Sequence, residues 1–178
     1  FREGVKINPK NSNSYFNIGL AYYNLMDLKK AIIYYKKSLK INDKHFDALF
    51  NLAITYKENK NNKQAINYYQ KALKINYDHV FVHFNLGNIY SEQLDFLPAI
   101  KHYKSAIRID PNFPDTYYNL AATFERIKDF SNSLKYYKLS FQQNSQEIKS
   151  LTKIRLLSKK MRKSDEAIRY FKNLLKKT

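Results

Sequence analysis

The chain contains no cysteine, which removes disulfides, thiol nucleophiles and cysteine-ligated zinc from the chemistry open to it. It has three glycines, Gly4, Gly19 and Gly87, too scattered to build the glycine-rich loop that cradles a phosphate. No apolar run approaches the roughly 20 residues a membrane-spanning helix needs, and no cleavable leader is evident, so the expectation is a soluble intracellular protein, cytoplasmic or nuclear. Acidic residues are the other shortage: 15 Asp and Glu stand against 32 Lys and Arg, a formal net charge of +17. That balance favours polyanions, anionic membranes or acidic proteins as partners, although an AT-rich coding sequence would enrich Lys, Asn and Tyr in the same way.

What the chain has in place of these features is a period. Ala31, Ala65, Ala99, Ser133 and Ala167 recur every 34 residues, as do Tyr35, Tyr69, Tyr103, Tyr137 and Phe171. A second small-residue column runs through Gly19, Ala53, Gly87 and Ala121, each followed three places later by Tyr22, Tyr56, Tyr90 or Phe124. Self-similarity at this spacing is the signature of a repeat array. Within one period two amphipathic patterns flank a short polar break. In the first, Tyr15, Ile18, Gly19, Tyr22 and Leu25 share a face. In the second, from Leu28 to Ile41, the residues Ala31, Ile32, Tyr35, Leu39 and Ile41 point inward. A Gly or Ala lets two helices of a hairpin approach closely, and the tyrosine column is expected to fill the space between successive pairs.

The run Tyr15-Phe16-Asn17-Ile18-Gly19-Leu20-Ala21-Tyr22, continued by Ala31, Tyr35 and Ser38, resembles the tetratricopeptide repeat family. The resemblance implies an all-α, right-handed solenoid of helix-turn-helix repeats. The expected division is the end of a preceding repeat at 1–11, four repeats at 12–45, 46–79, 80–113 and 114–147, and a divergent fifth at 148–178. In the fifth, Arg155, Ser158 and Leu174 replace the family's small residue, Tyr and Ala, and Arg155 is expected to loosen or re-angle that pair. Because Phe1 opens in mid-pattern without an initiator Met, a fragment of a longer array is expected.

No Ser/His/Asp set or carboxylate pair recurs in a cleft-forming context, so no catalytic site is expected, and no cofactor. His79 and His83 have the i, i+4 spacing of helical metal ligands but lack an accompanying Glu or Cys cluster; they are read as structural, with no metal site. Most tyrosines and phenylalanines fall on inward columns, where packing accounts for them better than base stacking does.

One column is left over. Asn17, Asn51, Asn85 and Asn119 share a register beside Phe16, Phe50, Phe84 and Tyr118. In the resembled family the inner curve of the solenoid binds extended peptides. An amide ladder there would pair with peptide backbone through both donor and acceptor, and the aromatic ridge would select side chains. The candidate peptide-binding residues are these eight together with Asn88 and Lys153, the latter at a basic groove end formed with Lys149, Lys159 and Lys160. The chaperone-tail clamp of the family wants Lys where this chain has Phe16 and basic residues at Phe81 and Asn85, so carboxylate capture is not expected. The segment from His83 to Asn88, with Asn112 to Ala121, is similar to the superhelical arm of nucleocytoplasmic O-GlcNAc transferases, which implies a substrate-docking arm. On the proposed groove face Asp47, Glu58, Glu92, Asp115 and Glu125 outnumber Lys57 and Arg126, whereas Lys36, Lys37, Lys71, Lys74, Lys101 and Lys104 lie on second helices. Nucleic-acid binding is therefore expected to be weak, non-specific and salt-dependent. The expected partner is an extended peptide or protein, with self-association open.

Overall fold

The rhythm of the sequence reappears as a rhythm of helix ends. The computed structural model describes residues 11–144, 148–162, 169–170 and 173, and among the described residues there are helices and no strand. In chain order these are α1 Ser12–Asn24, α2 Leu28–Ile41, α3 Phe46–Glu58, α4 Asn62–Ile75, α5 Val80–Glu92, α6 Phe96–Ile109, α7 Thr116–Arg126, α8 Phe130–Gln143 and α9 Ile148–Lys160.

Each second helix of a hairpin starts behind a polar residue one repeat on from the last. Asp27, Asn61 and Asp129 accept from the backbone N–H groups of Lys30, Gln64 and Asn132, relieving donors that have no partner inside the helix. Asp95 occupies the same place before α6 and makes no such bond. The residue three places on is Pro98, which has no N–H to give. The residue before each of these caps turns the chain in the left-handed region, Met26 (φ 60°), Lys60 (58°), Leu94 (64°) and Lys128 (63°), and Arg162 (54°) does so at the same register of the sequence. None is glycine, the residue that adopts this conformation at least cost.

The chain divides into two compact units, Phe1–Val82 and His83–Thr178. In the first, Ile18 and Gly19 of α1, a stripe from Ala48 to Tyr56 on α3, and Ala31, Tyr35, Ser38, Ala65, Tyr69 and Ala72 of the second helices are buried. In the second, Ala121, Leu134, Tyr137, Phe141, Ile154 and Leu157 form one cluster, and Ala99, Tyr103, Leu120 and Phe124 form another.

Size matching operates inside a hairpin rather than between successive pairs. A Cβ on Gly19 would stand 2.6 Å from the Tyr35 ring, and one on Gly87 2.6 Å from the Tyr103 ring. The tyrosine thus occupies the gap that its own first helix leaves. Two positions placed inward by periodicity lie outside: Leu25 is 75% exposed because α1 ends at Asn24, and Ile41, the last residue of α2, is 41% exposed. Ser38 is buried instead, with Ser12 Oγ 2.9 Å from its hydroxyl.

Arg155 is exposed, and α9 nonetheless buries Ser150, Ile154, Leu157 and Ser158. Ile154 and Leu157 join the α8 cluster, and most of the second half of that repeat, which the expectation for Arg155 concerns, lies outside the described residues. Ala167, Phe171 and Leu174, and the segment from Phe1 to Pro9, lie outside the described residues.

Candidate functional site

In the second unit α5 and α7 border a cleft of about 410 Å³ whose lining includes Asn88, Glu92, Tyr103, Asn119 and Arg126. Its polar groups are already wired together. Tyr103 Oη donates to Asn88 Oδ1 at 2.7 Å, and Asn119 Nδ2 donates to the same oxygen at 3.1 Å. An amide oxygen has two lone pairs, so these bonds fill it. What Asn88 can still offer a ligand is its NH2, whereas Asn119 keeps its carbonyl and a second N–H. A donor and an acceptor side by side is the complement of a peptide backbone. Arg126 Nη1 donates to the Ser91 carbonyl at 2.9 Å, with its guanidinium 5.7 Å from the Phe96 ring centroid. Burial, and then the charge of Glu92, push the Tyr103 hydroxyl up, so it stays a donor at neutral pH.

The asparagine column is less uniform than its spacing suggests. Asn17, Asn51, Asn85 and Asn119 are all half-buried. Asn51 Nδ2 donates to the Asp47 carbonyl of its own helix at 2.9 Å, and Asn119 is tied to Asn88. The network around Asn88 is not repeated, because the residues one and two repeats before it are Ile54 and Leu20 and the one after is Ala122. The aromatic ridge is half-buried too. Phe16 packs 5.8 Å from Tyr35 and 5.1 Å from His45; Phe50 lies 6.0 Å from Tyr69 and 5.2 Å from His79. Phe84 is 5.1 Å from Phe113, and Tyr118 is 5.2 Å from Tyr137. These rings serve the core with one face and leave only part of their surface to a ligand.

Lys153 does not stand as a free basic end. Its Nζ is 2.9 Å from Glu125 Oε2, and Glu125 also accepts from Tyr137 Oη at 2.9 Å. In the first unit Tyr23 donates to Glu58, at the register that Ser91 and Arg126 occupy two repeats on, and Tyr23 is pushed up to about 12 by burial and then by Glu58.

A family model described as tetratricopeptide repeat matches residues 11–78 and again 45–112, and a second, described as TPR repeat, matches 98–127. The chain belongs to the tetratricopeptide repeat family. Solved structures of the same fold include the MamA protein (24% identity, TM-score 0.83, covering 93% of this chain and 91% of that one). YrrB, described as a TPR protein with an unusual peptide-binding site, aligns at 14% identity and TM-score 0.83 over 95% of this chain and 87% of its own. PilF of Pseudomonas aeruginosa aligns at 23% identity and TM-score 0.72, over 90% and 73%. No curated protein sequence matches. Tetratricopeptide repeat proteins are typically non-catalytic modules that bind proteins or peptides. Among the described residues no helix is long and apolar enough to cross a membrane, and no three His, Cys, Asp or Glu are grouped to hold a metal.

The third tetratricopeptide repeat departs from its neighbours at one buried point. Where the first and fourth stack Tyr15 on Tyr34 and Tyr117 on Tyr136, the third sets His83 Nδ1 3.0 Å from His102 Nδ1. One ring donates and the other accepts, so the accepting Nδ1 carries no proton. His83 is 2% exposed. Burial first, then His83 and Lys101, lower His102 to about 4.

Proposed function

We propose that this tetratricopeptide repeat chain is a protein–protein interaction module whose second unit holds an extended peptide in the α5–α7 cleft. The observation that carries the reading is the Tyr103–Asn88–Asn119 network. It fixes an amide donor and an amide acceptor beside an open cleft, where they can pair with a backbone without demanding a sequence. Asn85, Phe84 and Tyr118 would flank the peptide, and selectivity would come from the exposed part of those rings. In the first unit Asn17, Asn51, Phe16 and Phe50 are the corresponding, weaker contacts. The peptide-binding site of YrrB, a protein of the same fold, supports this class of ligand. The likeness to the transferase arm makes a substrate segment delivered to an enzyme one form of the same reading.

Peptides selected from a phage-displayed random library on the parent protein provide the test. A net hydrogen bond is worth roughly 0.5–1.5 kcal/mol, so Asn88→Ala/Asn119→Ala should weaken the selected peptides about ten- to a hundredfold. Asn119→Ala alone should bind several-fold more weakly with a melting temperature close to the parent's, because Ala is the better helix former. Selected peptides that bind the double variant as tightly as the parent would overturn the proposal.

A further inference from the structure

A second cleft, on the second helices of the first unit, answers to a different chemistry. It measures about 630 Å³ and lies along α2 and α4 with Leu49 of α3 lining it. Five lysines, Lys36, Lys40, Lys44, Lys71 and Lys74, surround it against one acid, Asp43, over an apolar lining of Leu39, Leu49, Tyr68 and Ile75. The lysines are exposed, and Leu49 is buried. General lysine richness does not account for this concentration. The equivalent positions 68 residues on are Lys104, Arg108, Asn112, Leu139 and Gln142, which keep two positive charges of the five, and Asp43 becomes Pro111. The basic cleft is thus a property of one place in the chain and not of the repeat.

From this charge and shape we propose that the cleft docks an acidic segment of a protein partner, with an apolar side chain seated on Leu39, Leu49 and Ile75 and carboxylates ranged along the lysine rim. Clustered like charges around a concave apolar surface attract the opposite charge and reward its apolar neighbour. Stacked bases are a poor fit. Tyr56 and Tyr68 already stack on each other at 5.6 Å, and Lys36 and Lys71 lie 5.6 and 5.0 Å from the Tyr56 and Tyr68 centroids, so the rings present no bare face. A flat bilayer fits no better, because it cannot follow the cleft down to Leu49.

The probe is a fluorescein-labelled peptide of Asp and Glu with a central Leu-Phe pair, titrated by anisotropy into the full chain at physiological salt. Lys44→Glu/Lys71→Glu should weaken it at least about tenfold. Lys29→Glu/Lys63→Glu, which makes the same charge change at exposed lysines outside the cleft, should weaken it less than about threefold. Replacing the Leu-Phe pair by Asn-Asn should also weaken it several-fold, and Lys44→Gln/Lys71→Gln should lie between parent and Glu variant. Asn88→Ala/Asn119→Ala should leave it unchanged, which separates this site from the α5–α7 cleft. Equal losses in both Lys→Glu pairs, indifference to Leu-Phe, or tighter cleft-dependent binding of a single-stranded RNA would each overturn the proposal.

Discussion

Tyr35, Tyr69, Tyr103 and Tyr137 are one residue type at one register, yet their hydroxyls have different fates. Those of Tyr103 and Tyr137 donate to Asn88 and Glu125. Those of Tyr35 and Tyr69 are buried with no hydrogen-bond partner among the described residues. An unsatisfied buried hydroxyl costs about 1–3 kcal/mol, so Tyr35→Phe and Tyr69→Phe should each stabilise the protein by about 1 kcal/mol. Tyr103→Phe and Tyr137→Phe should cost about as much, a difference of sign that urea midpoints of the four variants would display. The His83–His102 pair gives a second residue-scale test. With His102 lowered to about 4 in the folded chain and near 6.5 when unfolded, the unfolded state takes up the proton first. The pair's contribution is therefore whole above pH 6.5 and is lost as pH falls through about 4. After allowing for partial exposure this is on the order of 1–2 kcal/mol. His102→Tyr, which restores the residue of the other repeats, should flatten the pH dependence of stability between those limits by that amount.

At the scale of the helix, the sequence shows the faces more plainly than the ends. The period-3.6 pattern places Ala31 and Tyr35 correctly, because burial of one face is what that pattern records. It misplaces Leu25, which follows the end of α1, and Ile41, the last residue of α2, because a face read from the sequence does not show where the helix that carries it stops. The left-handed column at Met26, Lys60, Leu94, Lys128 and Arg162 left no glycine signal to read. A left-handed turn at a residue with a side chain costs roughly 1–2 kcal/mol, part of which glycine's own chain entropy offsets. Met26→Gly and Leu94→Gly should therefore each raise stability by about 0.5–1 kcal/mol, measured by thermal melting; unchanged or lowered melting temperatures would contradict this. The cleft was half legible for a related reason. Asn119 and Asn88 are both among the candidates read from the sequence, but the bond between them was not, because Asn88 lies 31 residues away in a column otherwise filled by Leu20, Ile54 and Ala122. A contact made once leaves no period.

Across the whole molecule, bonds between hairpins join positions about one repeat apart: Asn119 to Asn88 spans 31 residues, and Tyr23 to Glu58 and Arg126 to Ser91 span 35. Stability in such a chain is a sum of repeat and neighbour terms. Damage should accordingly stay where it is made. Tyr69→Ala, costing about 3–5 kcal/mol by analogy with other large-to-small changes, should speed amide exchange throughout α3 and α4 while α8 and α9 exchange at the parent rate. Uniform acceleration would mean that the chain opens as one cooperative body.

The two glycines beneath their tyrosines have a consequence for fidelity. The column reads Gly19, Ala53, Gly87, Ala121, and the one two residues after it reads Ala21, Thr55, Ile89, Thr123, with Thr55 and Thr123 bonding back to the carbonyls of Asn51 and Asn119. Odd and even hairpins are thus different objects beneath a shared consensus. Arrays of like repeats are prone to exchanging a helix with the wrong copy, within a chain or between two. An exchange by one repeat would set the Tyr35 ring, seated where Gly19 has no Cβ, onto Ala53, whereas an exchange by two would meet Gly87. The alternation marks parity along the array: adjacent hairpins differ at this column, and hairpins two apart share a glycine beneath the tyrosine.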